Sequence, residues 1–403
     1  MRTGFEAEIV SGAPHIAQVT TSGMAVCVLL LDHIRALEAA GYQVTAICAP
    51  GPWAEKARSL GLRVQTIDFR RELSPAADVR ALGQLRRLFR RERFDVVHSH
   101  TPKAGLLAPL AAQLASVPHV VHTVHGFLFH DQMPRWKQPL FWSAEKFTAT
   151  FADQLLSQSS EDVEAAVRTR ICPARKIQYL GNGIDVASFH PARASSDRAA
   201  LRSTLGIDGK AVVAGTVGRF VYDKGFGELF AAAKRLLQQN PSLHFLMIGG
   251  ADADQSDAIE EEVLNELRNQ GRMHFLDWQE DMSRWYAAMD LFVLPSHREG
   301  VPRACMEAAA MELPVVASDI RGCREVVCRG ETGLLVPVGD VDALSDAILR
   351  IAGDANLRRK MGTLGRQHIV QNFTQAKVLE RLLSFYQELV PLERVAGAAC
   401  AAS

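Results

Sequence analysis

The segment LFVLPSHREGVPRACMEAAAMELPVVASD, residues 291–319, decides the fold. Its opening run of large apolar side chains reads as a buried strand, SHREGV as a loop, and the stretch from Pro302 through the alanines as a helix whose first residue is Pro302. PVVASD (314–319) is strand-like again. Two strands joined through a helix lie parallel, so the segment is one βαβ unit of a sheet covered on both faces.

The same alternation extends outward. Strands are expected upstream at AVVAGTVGR (211–219), LHFLMIGG (243–250) and MHFLD (273–277), and downstream at GLLVP (333–337). The first half repeats the pattern with HIAQVTT (15–21), QVTAICA (43–49), LRVQTID (62–68), DVVHSH (95–100), HVVHTVHG (119–126) and DQLLSQS (153–159). The chain therefore reads as α/β, with two Rossmann-like, doubly wound halves whose strand ends open onto a central cleft. Expected boundaries are 1–189 for the first domain, 190–210 for a polar linker with one short helix, and 211–372 for the second domain. Residues 373–403 complete the chain with a helix that packs back on the first half and a tail.

The bulk composition agrees with this size. At 403 residues the chain exceeds one ordinary core, and 45 basic against 45 acidic residues leave no net charge to attract nucleic acid. The seven cysteines form no CxxC pair and several sit in apolar patterns, as reduced thiols do. The first residues lack a hydrophobic signal region, and the run Met24–Leu31 is too short for a bilayer, so a cytoplasmic protein is expected.

The second half carries the densest chemistry. Glu299 stands at the mouth of the 291–296 strand and Glu307 in the helix, while GTVGRFVYDKG (215–225) ends another strand with Arg219 and Lys224. Gly218 and Gly225 allow a backbone to approach a ligand. Singly, Arg219 and Lys224 read as solvated loop cations, Glu299 as a surface acid and Glu307 as an exposed helix position. Yet Glu307 lies among alanines that should be buried, where an acid needs a partner such as ribose hydroxyls. Together, two cations, two carboxylates and the amides of Gly300 and Val301 at a helix start suit a sugar joined to a nucleoside diphosphate. When such a sugar departs from its diphosphate, charge grows on the bridging oxygen, and Arg219 and Lys224 can stabilise it.

GRFVYDKG, MIGG (247–250), LFVLPSHREG with Glu307, and PVVASDIRGCREVV followed by GLLVP together resemble the retaining glycosyltransferases of family 4, which adopt the GT-B fold. The resemblance covers nearly the whole chain and is strongest in the second half. It implies that Arg219 and Lys224 hold the donor phosphates, Glu299 the sugar hydroxyls and Glu307 the ribose. Gly300, Val301 and Pro302 would line the diphosphate, with Trp278 or Gln279 beside the base. Two departures bear on donor identity: Val301-Pro302-Arg303-Ala304 stands where relatives often read Phe-Gly-Leu-Pro, and Asp277 stands where a glycine is common. Enzymes of this type manage leaving-group charge with Arg and Lys, so the D-x-D of Asp252 and Asp254 is not taken as a metal site, and neither metal nor other cofactor is expected.

In the first half, His125 and Gly126 end a strand. A lone strand-end histidine is often structural, but the resemblance implies that His125 touches the donor sugar at the reaction centre. His122 and His130 are expected to be structural. His100, Thr101 and Lys103 lie at another strand mouth, as acceptor contacts, and Gly23 is the one residue of TTSGMA (20–25) suited to close backbone approach to donor or acceptor. Asn182 in NGID (182–185) reads as a turn residue or a neighbour of the donor. The arginines of LRRLFRRERF (85–94) and the aromatics of FLFHDQMPRWKQPLFW (127–142) suit an anionic membrane surface, or else a solvated face with core aromatics.

The expected activity is metal-independent, retaining transfer of a hexose or N-acetylhexosamine from a UDP-sugar. The favoured acceptor is a polyprenyl-diphosphate-linked saccharide at the inner face of the membrane. The alternatives are a soluble acceptor, a UDP-N-acetylglucosamine 2-epimerase, or a nucleotide-sugar-binding subunit without catalysis. A glycosidase would need no phosphate cations, and an NAD oxidoreductase would show G-x-G-x-x-G after the first strand, which is absent.

Overall fold

The computed structural model describes residues 12–70, 74–129, 133–134, 136–194, 197–250 and 257–392. The chain falls into two compact units. The first comprises Met1–Ser157, Val163–Leu180 and Leu379–Ser403, and the second Gln158–Asp162 and Gly181–Val378.

In the first unit, β1 (His15–Val19), β2 (Gln43–Cys48), β3 (Val64–Thr66), β4 (Val96–Ser99), β5 (His119–Val124), β6 (Gln154–Ser157) and β7 (Ile177–Tyr179) form one parallel sheet. Its order is β3-β2-β1-β4-β5-β6-β7. The second unit repeats the plan with β8 (Val212–Arg219), β9 (Leu243–Gly250), β10 (Met273–Leu276), β11 (Leu291–Leu294), β12 (Val315–Ser318) and β13 (Gly333–Val336). Here the order is β10-β9-β8-β11-β12-β13. In each sheet the winding reverses between its first and fourth strands, at β1/β4 and β8/β11, and such switch points are where open α/β sheets bind ligands.

The near-continuous apolar strands follow from burial on both faces. In the second unit, Phe292 and Leu294 of β11 join one core cluster while Leu291 and Val293 join the other. The expected β-strands are all present, and β7 is an additional one.

The short helix expected within 190–210 is present as Asp197–Thr204, and the long segment of the second unit begins at Gly181. Arg202 fixes that helix, donating from Nε to Ala288 O at 3.0 Å and pairing with Asp290 at 2.5 Å. Pro302, by contrast, is not the first helical residue as expected. It occupies the N-cap with extended backbone, and the helix runs Arg303–Ala310.

Candidate active site

The β8/β11 switch point of the second unit brings Lys224 and Glu299 together. β8 ends at Arg219, and the chain then makes a tight turn, Tyr222–Lys224, before the helix Phe226–Gln239. Gly225 joins turn to helix in the left-handed region, φ 72°, and a Cβ there would overlap the carbonyl of Pro295 in the loop after β11. That contact sets Lys224 against Glu299: Nζ donates to Oε1 at 2.5 Å, with both side chains mostly shielded from water. Ser296 Oγ donates to the same oxygen at 2.8 Å.

A second glycine clamps the loop from its far side. A Cβ on Gly322, in the helix Arg321–Val326, would fall inside the carbonyl of Gly300. Asn182 completes the clamp, donating from Nδ2 to Val301 O at 2.9 Å. Val301 and Pro302 are buried, and the Val301 side chain is part of the core, so only the backbone of this pair is left for any contact with a ligand. A Cβ on Gly218 would make ordinary van der Waals contact with the Phe226 ring at 3.8 Å.

Glu307 is buried, as its alanine neighbours suggested, and two protein groups hold it. Tyr286 Oη donates to Oε2 at 3.0 Å and Arg303 Nε to Oε1 at 2.9 Å. Burial raises its pKa against the lowering pull of Arg303 and Tyr286. Arg303, odd in sequence, is therefore the counter-ion of Glu307. Trp278 is exposed beyond β10, its indole 3.7 Å from the place a Cβ on Gly250 would take. Gln279 accepts from Trp285 Nε1 at 3.1 Å and donates to Asp277 O, so its side chain is occupied in holding the segment. Asp252, Asp254 and His130 lie outside the described residues.

The first unit corrects the acceptor contacts. His100 is 3 % exposed, and both its ring nitrogens are engaged, Nδ1 by His125 at 3.2 Å and Nε2 by Gln18 at 2.5 Å. Lys103 pairs with Asp78 at 2.7 Å and donates to Arg70 O, anchoring its helix. Thr101 Oγ1 accepts from Thr21 N at 3.1 Å and so ties the loops after β1 and β4. Gly23 is needed for packing, since a Cβ would lie 2.8 Å from Ala54 N. His125, at the end of β5, is half-buried, followed by Gly126 at φ 107°. Phe127 and Phe129 are buried and stacked, so they belong to the core and not to a membrane face. Trp136 and Leu140, by contrast, are exposed, with Lys137 Nζ 5.1 Å from the Trp136 ring. Arg86 and Arg90 both donate to Leu114 O at the end of a neighbouring helix.

Burial holds the neighbouring histidines neutral: His98 and His100 are pushed well below their ordinary value, and His122 down to about 3. Protonating them is easier in the unfolded chain, so stability present above pH 6.5 is lost as pH falls through the window from 6.5 toward about 3. The urea midpoint is expected to drop between pH 7.5 and pH 5. A midpoint constant across that range would show that these rings are not held neutral by the fold.

Two Rossmann-like units built on open parallel sheets are the architecture of the GT-B glycosyltransferases. The chain belongs to the glycosyl transferases group 1 family, which matches residues 197–368, with a glycosyl transferase 4-like domain over 22–183. It is 31 % identical over 322 residues to the Escherichia coli UDP-Gal:alpha-D-GlcNAc-diphosphoundecaprenol alpha-1,3-galactosyltransferase, covering 79 % of this chain and 82 % of that one. It is 26 % identical over 368 residues to the Campylobacter jejuni N,N'-diacetylbacillosaminyl-diphospho-undecaprenol alpha-1,3-N-acetylgalactosaminyltransferase, covering 89 % and 94 %. Among solved structures, Anabaena HepE in complex with UDP and glucose superimposes with a TM-score of 0.76 at 21 % identity, covering 94 % and 99 %, a likeness of fold. No helix among the described residues is long and apolar enough to cross a membrane.

Proposed function

We propose that the protein transfers a hexose or N-acetylhexosamine from a UDP-sugar to a polyprenyl-diphosphate-linked saccharide, with retention and without a metal. The observation that carries this reading is the Lys224–Glu299 pair at the β8/β11 switch point, held between Gly225 and Gly322. A diphosphate entering there meets Lys224 and Arg219 with the amides of Gly300 and Val301. Glu299, freed from Lys224, then accepts from sugar hydroxyls. We assign the exposed Trp278 to the base and Glu307, held by Tyr286 and Arg303, to the ribose hydroxyls. We assign His125 to contact with the transferred sugar, on the strength of the family resemblance alone. The acceptor oxygen forms its bond to C1 on the face from which the diphosphate leaves. The C1–O bond breaks with its electron pair going to the diphosphate, and a donor phosphate oxygen takes the acceptor proton.

Support for the lipid-linked acceptor comes from the names of the two relatives above and from the exposed Trp136 and Leu140 beside Lys137, an arrangement suited to an anionic bilayer surface. The test is incubation with a panel of UDP- and GDP-sugars and an undecaprenyl-diphosphate-linked monosaccharide, reading nucleotide release and the anomeric configuration of the product. UDP-dependent transfer with retention, undiminished in excess EDTA, is expected. Inversion, or activity abolished by EDTA and restored by magnesium, would contradict the mechanism.

A further inference from the structure

Beneath His125 runs a chain of buried polar groups that donor recognition does not require. His125 Nε2 lies 3.2 Å from His100 Nδ1, and His100 Nε2 lies 2.5 Å from Gln18 Oε1. Gln18 Nε2 donates to Tyr386 Oη at 3.0 Å, Tyr386 Oη is 2.8 Å from His98 Nδ1, and His98 Nε2 is 2.7 Å from Thr123 Oγ1. Gln18, His98, Tyr386 and Thr123 are all 1 % exposed or less. Tyr386 reaches this place from the helix Gln375–Leu389, far along the sequence from everything it touches here.

A carboxamide has direction, because its oxygen only accepts and its nitrogen only donates. Facing Gln18 Oε1, His100 Nε2 must carry a proton. His100 is neutral in its buried site, so its Nδ1 is bare and can only accept, which makes His125 Nε2 the donor. On the other side, Tyr386 accepts from Gln18 and gives its own proton to His98 Nδ1, leaving His98 Nε2–H for Thr123. Every proton along the chain is then assigned, and none of these buried atoms lacks a partner.

We propose that Gln18 and Tyr386 are positioning residues that hold His125, through His100, as the tautomer protonated at Nε2. The C-terminal helix thus sets the proton order of a histidine at the reaction centre, and the polar side of Gln18 is the element that gives the order its sense. The effect on catalysis rests on the reading of His125 proposed above, whereas the tautomer does not.

The experiment uses full-length protein labelled with 15N-histidine and long-range 1H–15N correlation at pH 8, with the His125 resonances assigned from His125→Gln. In the wild type, His125 is expected to show a protonated-type Nε2 and a bare-type Nδ1. In Gln18→Glu, a carboxylate accepts from both neighbours and holds His100 as an imidazolium. His100 Nδ1 then donates, and His125 should switch to the Nδ1-protonated form. In Tyr386→Phe, the Gln18 amide loses its acceptor, and His125 should show both tautomers, with transfer slowed on the order of tenfold at unchanged donor KM. A wild-type His125 protonated at Nδ1 would overturn the proposal, even if a variant fails to fold. So would a tautomer that folded Gln18→Glu and Tyr386→Phe both leave unchanged. If the tautomers behave as stated and His125→Gln transfers sugar at the wild-type rate, the positioning chain stands and the catalytic reading of His125 falls.

Discussion

Replacing Lys224 by alanine is expected to lower kcat for sugar transfer by about 10²–10³-fold, some 3–4 kcal/mol of transition-state stabilisation. The ammonium stands 2.5 Å from Glu299 in a largely shielded site, at the end of a turn that Gly225 locks against Pro295. Fixed charge in such a place needs no reorganisation as the diphosphate departs, which is why its removal should be costly. Glu299 would also lose its cation, so donor KM should rise, and thermal stability should fall somewhat because a largely shielded carboxylate is left without its partner. Steady-state kinetics with the favoured UDP-sugar would check this. A variant with wild-type kcat would remove Lys224 from the leaving-group role, and the companion Arg219→Ala would then decide whether any cation serves it.

Gly322→Ala is expected to destabilise the protein by about 3 kcal/mol, at the upper end of what overpacking usually costs. The added methyl would occupy the position of the Gly300 carbonyl, and the neighbouring Glu299 carbonyl lies only 3.2 Å away. Relief requires moving the loop that carries Glu299, or the helix Arg321–Val326 that carries Gly322. Nucleotide-sugar affinity should therefore fall together with stability, although Gly322 need never touch the donor. Urea unfolding and calorimetry on the same sample would test both parts. A variant as stable as the wild type with unchanged affinity would show that the loop is not clamped as described.

Gly322 also marks the limit of what could be read from sequence. The strands were legible because both sheet faces are covered, so each strand is a compact apolar run between polar or glycine-rich segments. β7 escaped notice because it is three residues long with Gln178 exposed in the middle. Lys224, Glu299 and Glu307 were legible because their spacing places them at strand mouths and helix starts that any parallel α/β sheet would align. The contacts that hold them were not. Gly322 looks like any helical glycine until the Gly300 carbonyl arrives, and Tyr286 looks like an ordinary core aromatic until its hydroxyl meets Glu307 at 3.0 Å. His100 failed for the same reason in the opposite sense. Its place after β4 suggested a residue facing substrate, but Tyr386 and Gln18 close over that region, and Tyr386 lies 288 positions beyond His98, its partner. Local pattern gives where a side chain starts, whereas tertiary approach decides whether it meets solvent, ligand or protein.

The most direct test of the account is calorimetric titration of the folded protein with UDP-sugars, paired with the same titration of Lys224→Ala. Saturable uptake of one sugar nucleotide per chain, weakened in the variant, is the result the account predicts. Absence of binding for every sugar nucleotide tried, or equal affinity in wild type and variant, would contradict it.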